Sequence, residues 1–269
     1  MPNTDIQISP YSSAVGALVS GVDLAAPLDD TGFAQLRQAF HDHGVLFFRD
    51  LHISPAQHLA FARRWAPIDI NRFFKALDGH PEIAEVRKES DQLTNIGGDW
   101  HTDHSYDQVP ATGSLLLARE VPPHGGDTLF ANLASAFEAL SPGLRATLER
   151  LRAMHSTAHV FGAQGGYAKS ADLGGRIGNA QAATQDVVHP VMIRHPDTGR
   201  KTLYVNAAFT TRFEGWTAAE SDALLKFLYQ HASQPEFSCP FQGSRVGWPS
   251  ATNVPPGTMR STITEATAA

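Results

Sequence analysis

At 269 residues with 42% hydrophobic side chains, the chain can bury one large core, and a single domain is expected. A net charge of −6 gives no basic footprint for nucleic acid or an anionic membrane, and a single cysteine, Cys239, excludes an internal disulfide framework. The polar start MPNTDIQISP lacks the charged-then-apolar pattern of a secretion signal and no apolar run reaches membrane-spanning length. The expectation is a cytoplasmic protein acting on a small molecule, with no nucleic-acid or membrane partner and with homo-oligomerisation left open.

Asp29 and Asp30 precede apolar residues at Phe33, Leu36 and Phe40, a spacing that predicts a capped amphipathic helix ending at Gly44. Val45 to Phe48 reads as a buried strand. Ser54-Pro55 opens a second helix through Leu59, Phe61 and Trp65, which stops before Pro67. Residues 69–81, with Asn71, Arg72, Phe73 and Phe74, have no clean period and read as a loop near a site.

Strands are expected at 83–86, 101–106, 114–120 and 127–132, separated by Pro122-Pro123 and Gly125-Gly126. Leu140, Leu144, Leu148 and Leu151 predict one helix from Ala134 to about His155. Residues 157–188, rich in Gly, Ala and Gln, lack a stable period, as expected of a lid over a site. Two strands, 189–194 and 201–205, flank a turn at Pro196-Asp197-Thr198-Gly199, and Thr217 caps a last helix through Leu224 and Leu228. Short strands with helices gathered in blocks predict a mixed α/β chain, mainly β: a sandwich or barrel with helices packed on one side.

The most informative run is Trp100-His101-Thr102-Asp103, followed by Gly125-Gly126-Asp127-Thr128-Leu129-Phe130. On a strand, residues two apart share a face, so His101 and Asp103 could offer an imidazole and a carboxylate to one metal ion. That is two-thirds of the two-His, one-carboxylate set that holds non-haem Fe(II). His-x-Asp alone is weak, since a chain with 13 His yields such pairs by chance.

The agreement of several segments in order is stronger. WHTDHSY, GGDTLFANLASAFEAL, HPVMIRHPDTGRKTLYVNAAFTTRFEGW, SGVDLAAPL and GVLFFRD together resemble the TauD/TfdA family of Fe(II)- and 2-oxoglutarate-dependent dioxygenases over about residues 5 to 242. The resemblance implies a double-stranded β-helix, or jelly roll, with flanking helices. It also implies His101 and Asp103 as iron ligands, and Thr128 as a hydrogen-bond partner of the 2-oxoglutarate carboxylate. The implied reaction decarboxylates 2-oxoglutarate to succinate and CO2 while hydroxylating a small organic acid of sulfonate, alkyl sulfate or aryloxyalkanoate type. Trp100, His104, Tyr106 and Phe209 beside these motifs are candidate pocket walls. His189 and His195, at the ends of a strand pair, are expected to be structural or solvent-facing, His231 lies on the last amphipathic helix, and none of the three sits at the family's distal ligand position. A metal hydrolase would need an activated water and a general base, for which the Thr128 motif offers no reason.

The pattern breaks after Gln242. Family members carry a segment resembling PGxxAFWDNRxxxHYAxxDY, whose His is the second imidazole ligand and whose following arginines hold 2-oxoglutarate. Here residues 243–269 contain no His and only Arg245 and Arg260. Reading the last base of each codon with the first two of the next permits EPGRLAFCDKRATWHYAVNDYRSHRR, although two bases of every shifted codon are fixed. The expectation is therefore a jelly-roll domain over 1–242, whose closing strands and third metal ligand are lost to a one-base frameshift, and an aberrant, irregular tail over 243–269. The lost His falls at the Gly257/Thr258 junction. A catalytically inactive jelly-roll binding protein is the alternative.

Overall fold

The computed structural model describes residues 5–89, 92–122, 124–173, 175–184, 186–242 and, as backbone, 261–268. Its strands are β1 (Gln7–Pro10), β2 (Ala17–Ser20), β3 (Leu46–Phe48), β4 (Ala76–Leu77), β5 (His80–Lys88), β6 (Gly113–Glu120), β7 (Thr128–Ala131), β8 (Arg152–Ser156), β9 (Asp186–Pro190), β10 (Met192–Arg194), β11 (Lys201–Leu203), β12 (Thr210–Phe213), β13 (Ser238–Phe241) and β14 (Ser261–Ala268). The helices are α1 (Asp30–His43), α2 (Pro55–Trp65), α3 (Leu133–Ala139), α4 (Pro142–Leu148), α5 (Ala158–Phe161) and α6 (Ala218–Ala232). The chain is mixed α/β and mainly sheet.

Helix boundaries follow the chain's own caps. Asp29 Oδ1 accepts the Gly32 amide at 2.7 Å, and α1 ends where Gly44 turns left-handed at φ 73°. Ser54 and Gln57 form a reciprocal capping box at α2, and Thr217 and Glu220 form another at α6. The single helix expected over 134–155 is instead α3, α4 and β8. Leu140 is extended, Ser141 caps the new helix through the Leu144 amide, and Pro142 lacks the N–H that an unbroken helix would require.

The sheet β4-β5-β14-β6 packs against α1 and α2 through Leu36, Phe40, Leu59, Phe61, Ile83, Leu115 and Leu117. A second core gathers Phe137, Leu148, Ala153, Leu203, Phe213 and Leu228 around α6 and the sheet β12-β8-β9. Between them lies the pair β13-β7, where Phe241 stacks on Phe47 with centroids 3.8 Å apart. The sole cysteine, Cys239, is buried in this third cluster.

Three further expectations are corrected. Residues 101–106 are not a strand: Ser105 N–H bonds Thr102 O at 3.3 Å, Asp107 N–H bonds His104 O at 3.0 Å, and His104 sits at φ 54°, so the segment turns back on itself and makes no ladder. The 157–188 segment is not wholly irregular, since it contains α5 and two 3-10 turns, and its end enters β9. The tail is not irregular over 261–268, because Ser261–Ala268 forms β14, parallel to both β5 and β6. β5 and β6 therefore run the same way and leave a one-strand slot that only a remote segment can fill. β14 carries no His. The rest of the expected tail, 243–260, lies outside the described residues.

Candidate active site

His101 and Asp103 meet although the strand expected to align them is absent. His101 Nε2 lies 3.2 Å from Asp103 Oδ1. The other imidazole nitrogen is tied: Nδ1–H donates to the Asp99 carbonyl at 2.7 Å, which fixes the ring and leaves Nε2 facing the carboxylate. Asp103 is fixed in turn, because the Ser114 hydroxyl on β6 donates to Oδ2. Two donors each about 2.1 Å from one ion, at right angles to each other, lie ~3 Å apart, so Nε2 and Oδ1 fit adjacent positions on a metal.

The electrostatics agree. Burial works against a charged His101, but the hydrogen bond and charge of Asp103, with the Asp99 carbonyl and charge, outweigh it and lift the imidazole to about 9. Burial likewise works against an ionised Asp103, yet His101, Ser114 and the nearby His104 hold its carboxyl well below the usual range. The pair thus holds a proton between them at neutral pH, where a divalent cation would displace it.

A second group of ligand-type atoms, from Asp69, His104 and Asp107, lies within 4.8 Å of one another. His104 Nδ1 is 2.8 Å from Asp107 Oδ2 and 3.5 Å from Asp69 Oδ2, and the Arg72 guanidinium is bonded to Asp107 Oδ1. The Asp107 carboxyl meets a burial penalty, but His104 and Arg72 more than offset it and hold it below its ordinary value. Arg72 offsets one of the two carboxylates, and His104 lies against both, so the group is an ionic network tied by its own partners.

Of the candidate wall residues, Phe209 stands edge-on to His101 at 6.4 Å and packs against Tyr106 at 4.7 Å. Tyr106 is buried with Phe73 and Phe161 in an aromatic cluster, His104 points into the ionic network, and Trp100 is partly exposed beside His101. Thr128 begins β7 opposite Phe241 and is exposed. His189 and His195 are buried; His189 Nε2–H donates to the Asp107 carbonyl, and His195 Nδ1 accepts the amides of Asp197 and Thr198. His231 Nε2–H donates to the Ala136 carbonyl.

Sequence reasoning missed Asp99 and Ser114, which hydrogen-bond His101 and Asp103, and the hydrogen-bonded group Ser105, His155 and Asn206. Residues of the 92–97 loop are tied to Tyr167 and Asp172, and Gly97 lies close to the His101 ring. Asp172 Oδ2 accepts the Leu93 and Thr94 amides at 2.8 and 2.9 Å, and the Tyr167 hydroxyl accepts the Gly97 amide at 3.0 Å. No helix among the described residues is long and apolar enough to cross a membrane.

The family profile described as taurine catabolism dioxygenase TauD, TfdA family matches residues 7–245. An (S)-phenoxypropionate/alpha-ketoglutarate-dioxygenase of Sphingobium herbicidovorans is 35% identical over 85% of this chain and 79% of that protein. An alpha-ketoglutarate-dependent 2,4-dichlorophenoxyacetate dioxygenase of Cupriavidus pinatubonensis is 30% identical over 85% of this chain and 83% of its own length. A crystal structure of a taurine dioxygenase from Burkholderia xenovorans superimposes with a TM-score of 0.73 at 33% identity, covering 92% of this chain and 80% of that one. A crystal structure of AAD-2 in complex with Mn(II) and N-oxalylglycine gives a TM-score of 0.74 at 27% identity, covering 94% of this chain and 89% of that one. The fold is thus the jelly roll of these dioxygenases.

Proposed function

Because the chain belongs to the TauD/TfdA family of Fe(II)- and 2-oxoglutarate-dependent dioxygenases, we propose that it is built to hydroxylate a small organic acid of aryloxyalkanoate, alkyl sulfate or sulfonate type, and that its tail has lost part of that machinery. The observation that carries the reading is His101 Nε2 facing Asp103 Oδ1 at 3.2 Å, with the remaining atoms of both groups tied by Asp99 and Ser114. His101 and Asp103 would hold Fe(II), and Thr128 would bond the 2-oxoglutarate carboxylate. When bound, the iron and 2-oxoglutarate supply the oxidising power: O2 is consumed, 2-oxoglutarate leaves as succinate and CO2, and one oxygen atom enters a C–H bond of the substrate.

The residues of this chain supply orientation. Asp99 keeps the His101 proton on Nδ1, Ser114 keeps Asp103 Oδ1 turned inward, and Phe209 walls the imidazole from solvent on one side. The finer reading also places the protein in the cytoplasm. A binding protein without turnover is the second reading, and it is favoured by the absence of any His in residues 243–269, where the family's second imidazole and its arginines are expected. Loss of a buried bidentate arginine would remove the strongest contact available to a co-substrate carboxylate.

Anaerobic calorimetric titration with Fe(II) tests the metal assignment. His101→Ala and Asp103→Ala are each expected to abolish the binding that the parent chain shows; unchanged binding in both variants would sink it.

A further inference from the structure

The segment that carries His101 and Asp103 pairs with no strand among the described residues, yet most of it is buried. Thr102, His104, Ser105, Tyr106 and Asp107 are all buried. A buried loop without a ladder must satisfy its polar groups by side chains. Here those side chains come from β8, β9 and the turn between β11 and β12, which lie outside the 101–107 segment.

Asn206 Nδ2–H donates to Ser105 Oγ at 3.0 Å, and His155 Nδ1 lies 3.2 Å from the same oxygen. His189 Nε2–H donates to the Asp107 carbonyl at 2.9 Å. His155 and Ser105 are each 0% exposed, and Asn206 and His189 are each 6% exposed. Asn206 is itself immobilised, because its Oδ1 accepts the Phe209 amide and its own amide donates to Thr210 Oγ1, both at 2.9 Å. Burial, reinforced by the neighbouring His189, lowers His155 to about 3, and burial also lowers His189, so both rings are neutral partners.

We infer that Asn206, His155 and His189 are positioning residues, a three-point clamp that holds Ser105 and Asp107 so that His101 and Asp103 face one metal ion. The inference rests on the metal reading above and deepens it. The clamp substitutes side-chain hydrogen bonds for the missing ladder. Asn206 also carries Phe209 toward His101, so the same residue sets the ligand turn and one wall beside it.

The test uses the full chain and four variants: Asn206→Ala, His189→Leu, His189→Gln and Leu36→Val. Gln at 189 can return an N–H to the Asp107 carbonyl, whereas Leu cannot. Leu36 lies in the α1 core cluster, to which no clamp or loop residue belongs. Hydrogen–deuterium exchange of the peptide spanning 101–107 should quicken about tenfold or more in Asn206→Ala and His189→Leu, return toward the parent rate in His189→Gln, and stay unchanged in Leu36→Val. Anaerobic titration with Fe(II) alone should show binding weakened about 10–100-fold in the first two variants only. Should Asn206→Ala fail to fold, the His189 pair and Ser105→Ala carry the same comparison. Unchanged exchange in both disrupting variants would overturn the clamp, as would faster exchange with unaltered Fe(II) affinity. His101→Ala separates the two levels: if it leaves Fe(II) binding intact, the metal reading fails and takes the clamp's purpose with it. If it abolishes binding while the clamp variants bind normally, the clamp alone fails.

Discussion

His58 on α2 is fully buried, and neither ring nitrogen has a partner among the described residues. Burial, with the positive charge of Arg119 as the lesser cause, lowers its pKa from 6.5 to about 4. The folded state therefore refuses a proton that the unfolded chain accepts. Its stabilising contribution is complete above pH 6.5, declines as the pH falls, and is lost entirely below about 4. The full loss between the two protonation ranges is roughly 3 kcal/mol, of which about 2 kcal/mol is reached by pH 5, at ~1.36 kcal/mol per pH unit. For a domain of this size about 2 kcal/mol moves the melting temperature by roughly 4–8 °C. His58→Leu removes the titration while retaining a side chain of similar size. Melting curves of parent and variant from pH 7 to pH 5 should diverge, with the parent losing about 2 kcal/mol more. Parallel stability profiles across that range would refute the assignment of a neutral, unpartnered imidazole in this core.

Ser114→Ala should weaken Fe(II) binding about 10–100-fold in an anaerobic titration, because Asp103 Oδ2 loses the Ser114 hydroxyl, while Ser114→Thr should retain most of the affinity. Thr128→Val should weaken 2-oxoglutarate binding by about 0.5–1.5 kcal/mol, roughly 2–13-fold, in a titration of the metal-loaded protein, with an unchanged melting temperature. Equal dissociation constants in either comparison would remove the role assigned to that residue.

The parts of the fold that could be read from sequence are those where neighbouring residues carry the whole signal. Asp29 and Gly44 at α1, Ser54 and Gln57 at α2, and Thr217 and Glu220 at α6 act within one turn, so their caps were predictable without knowing any partner. The leucine spacing from Leu140 to Leu151 misled because a helical period survives a break when the break keeps phase; the local chemistry of Ser141-Pro142 was the better guide. The His101–Asp103 pair is legible from its residue types and its two-residue spacing, whereas the left-handed His104 and the two turns that redirect the chain after the pair are not. Ser114, Ser105, Asn206 and His155 were missed for a related reason. Each lies within an apolar or β-prone run, and its partner is 11, 101 or 50 residues away, so only the tertiary fold exposes the contact. β14 was missed because the slot it fills is a property of β5 and β6 and not of its own sequence.

We propose that this chain keeps the His101–Asp103 half of a dioxygenase site and lacks the half that a shifted reading frame after Gln242 would encode. The most direct measurement is a succinate assay with Fe(II), 2-oxoglutarate and O2. It compares this chain with one whose gene carries a single-base correction near codon 242, so that WHYAVNDY is restored and read to its own stop. The corrected chain is expected to form succinate in an Fe(II)-dependent manner and to melt at a higher temperature, while the present chain turns over far more slowly. Equal rates of succinate formation from the two chains would contradict the claim.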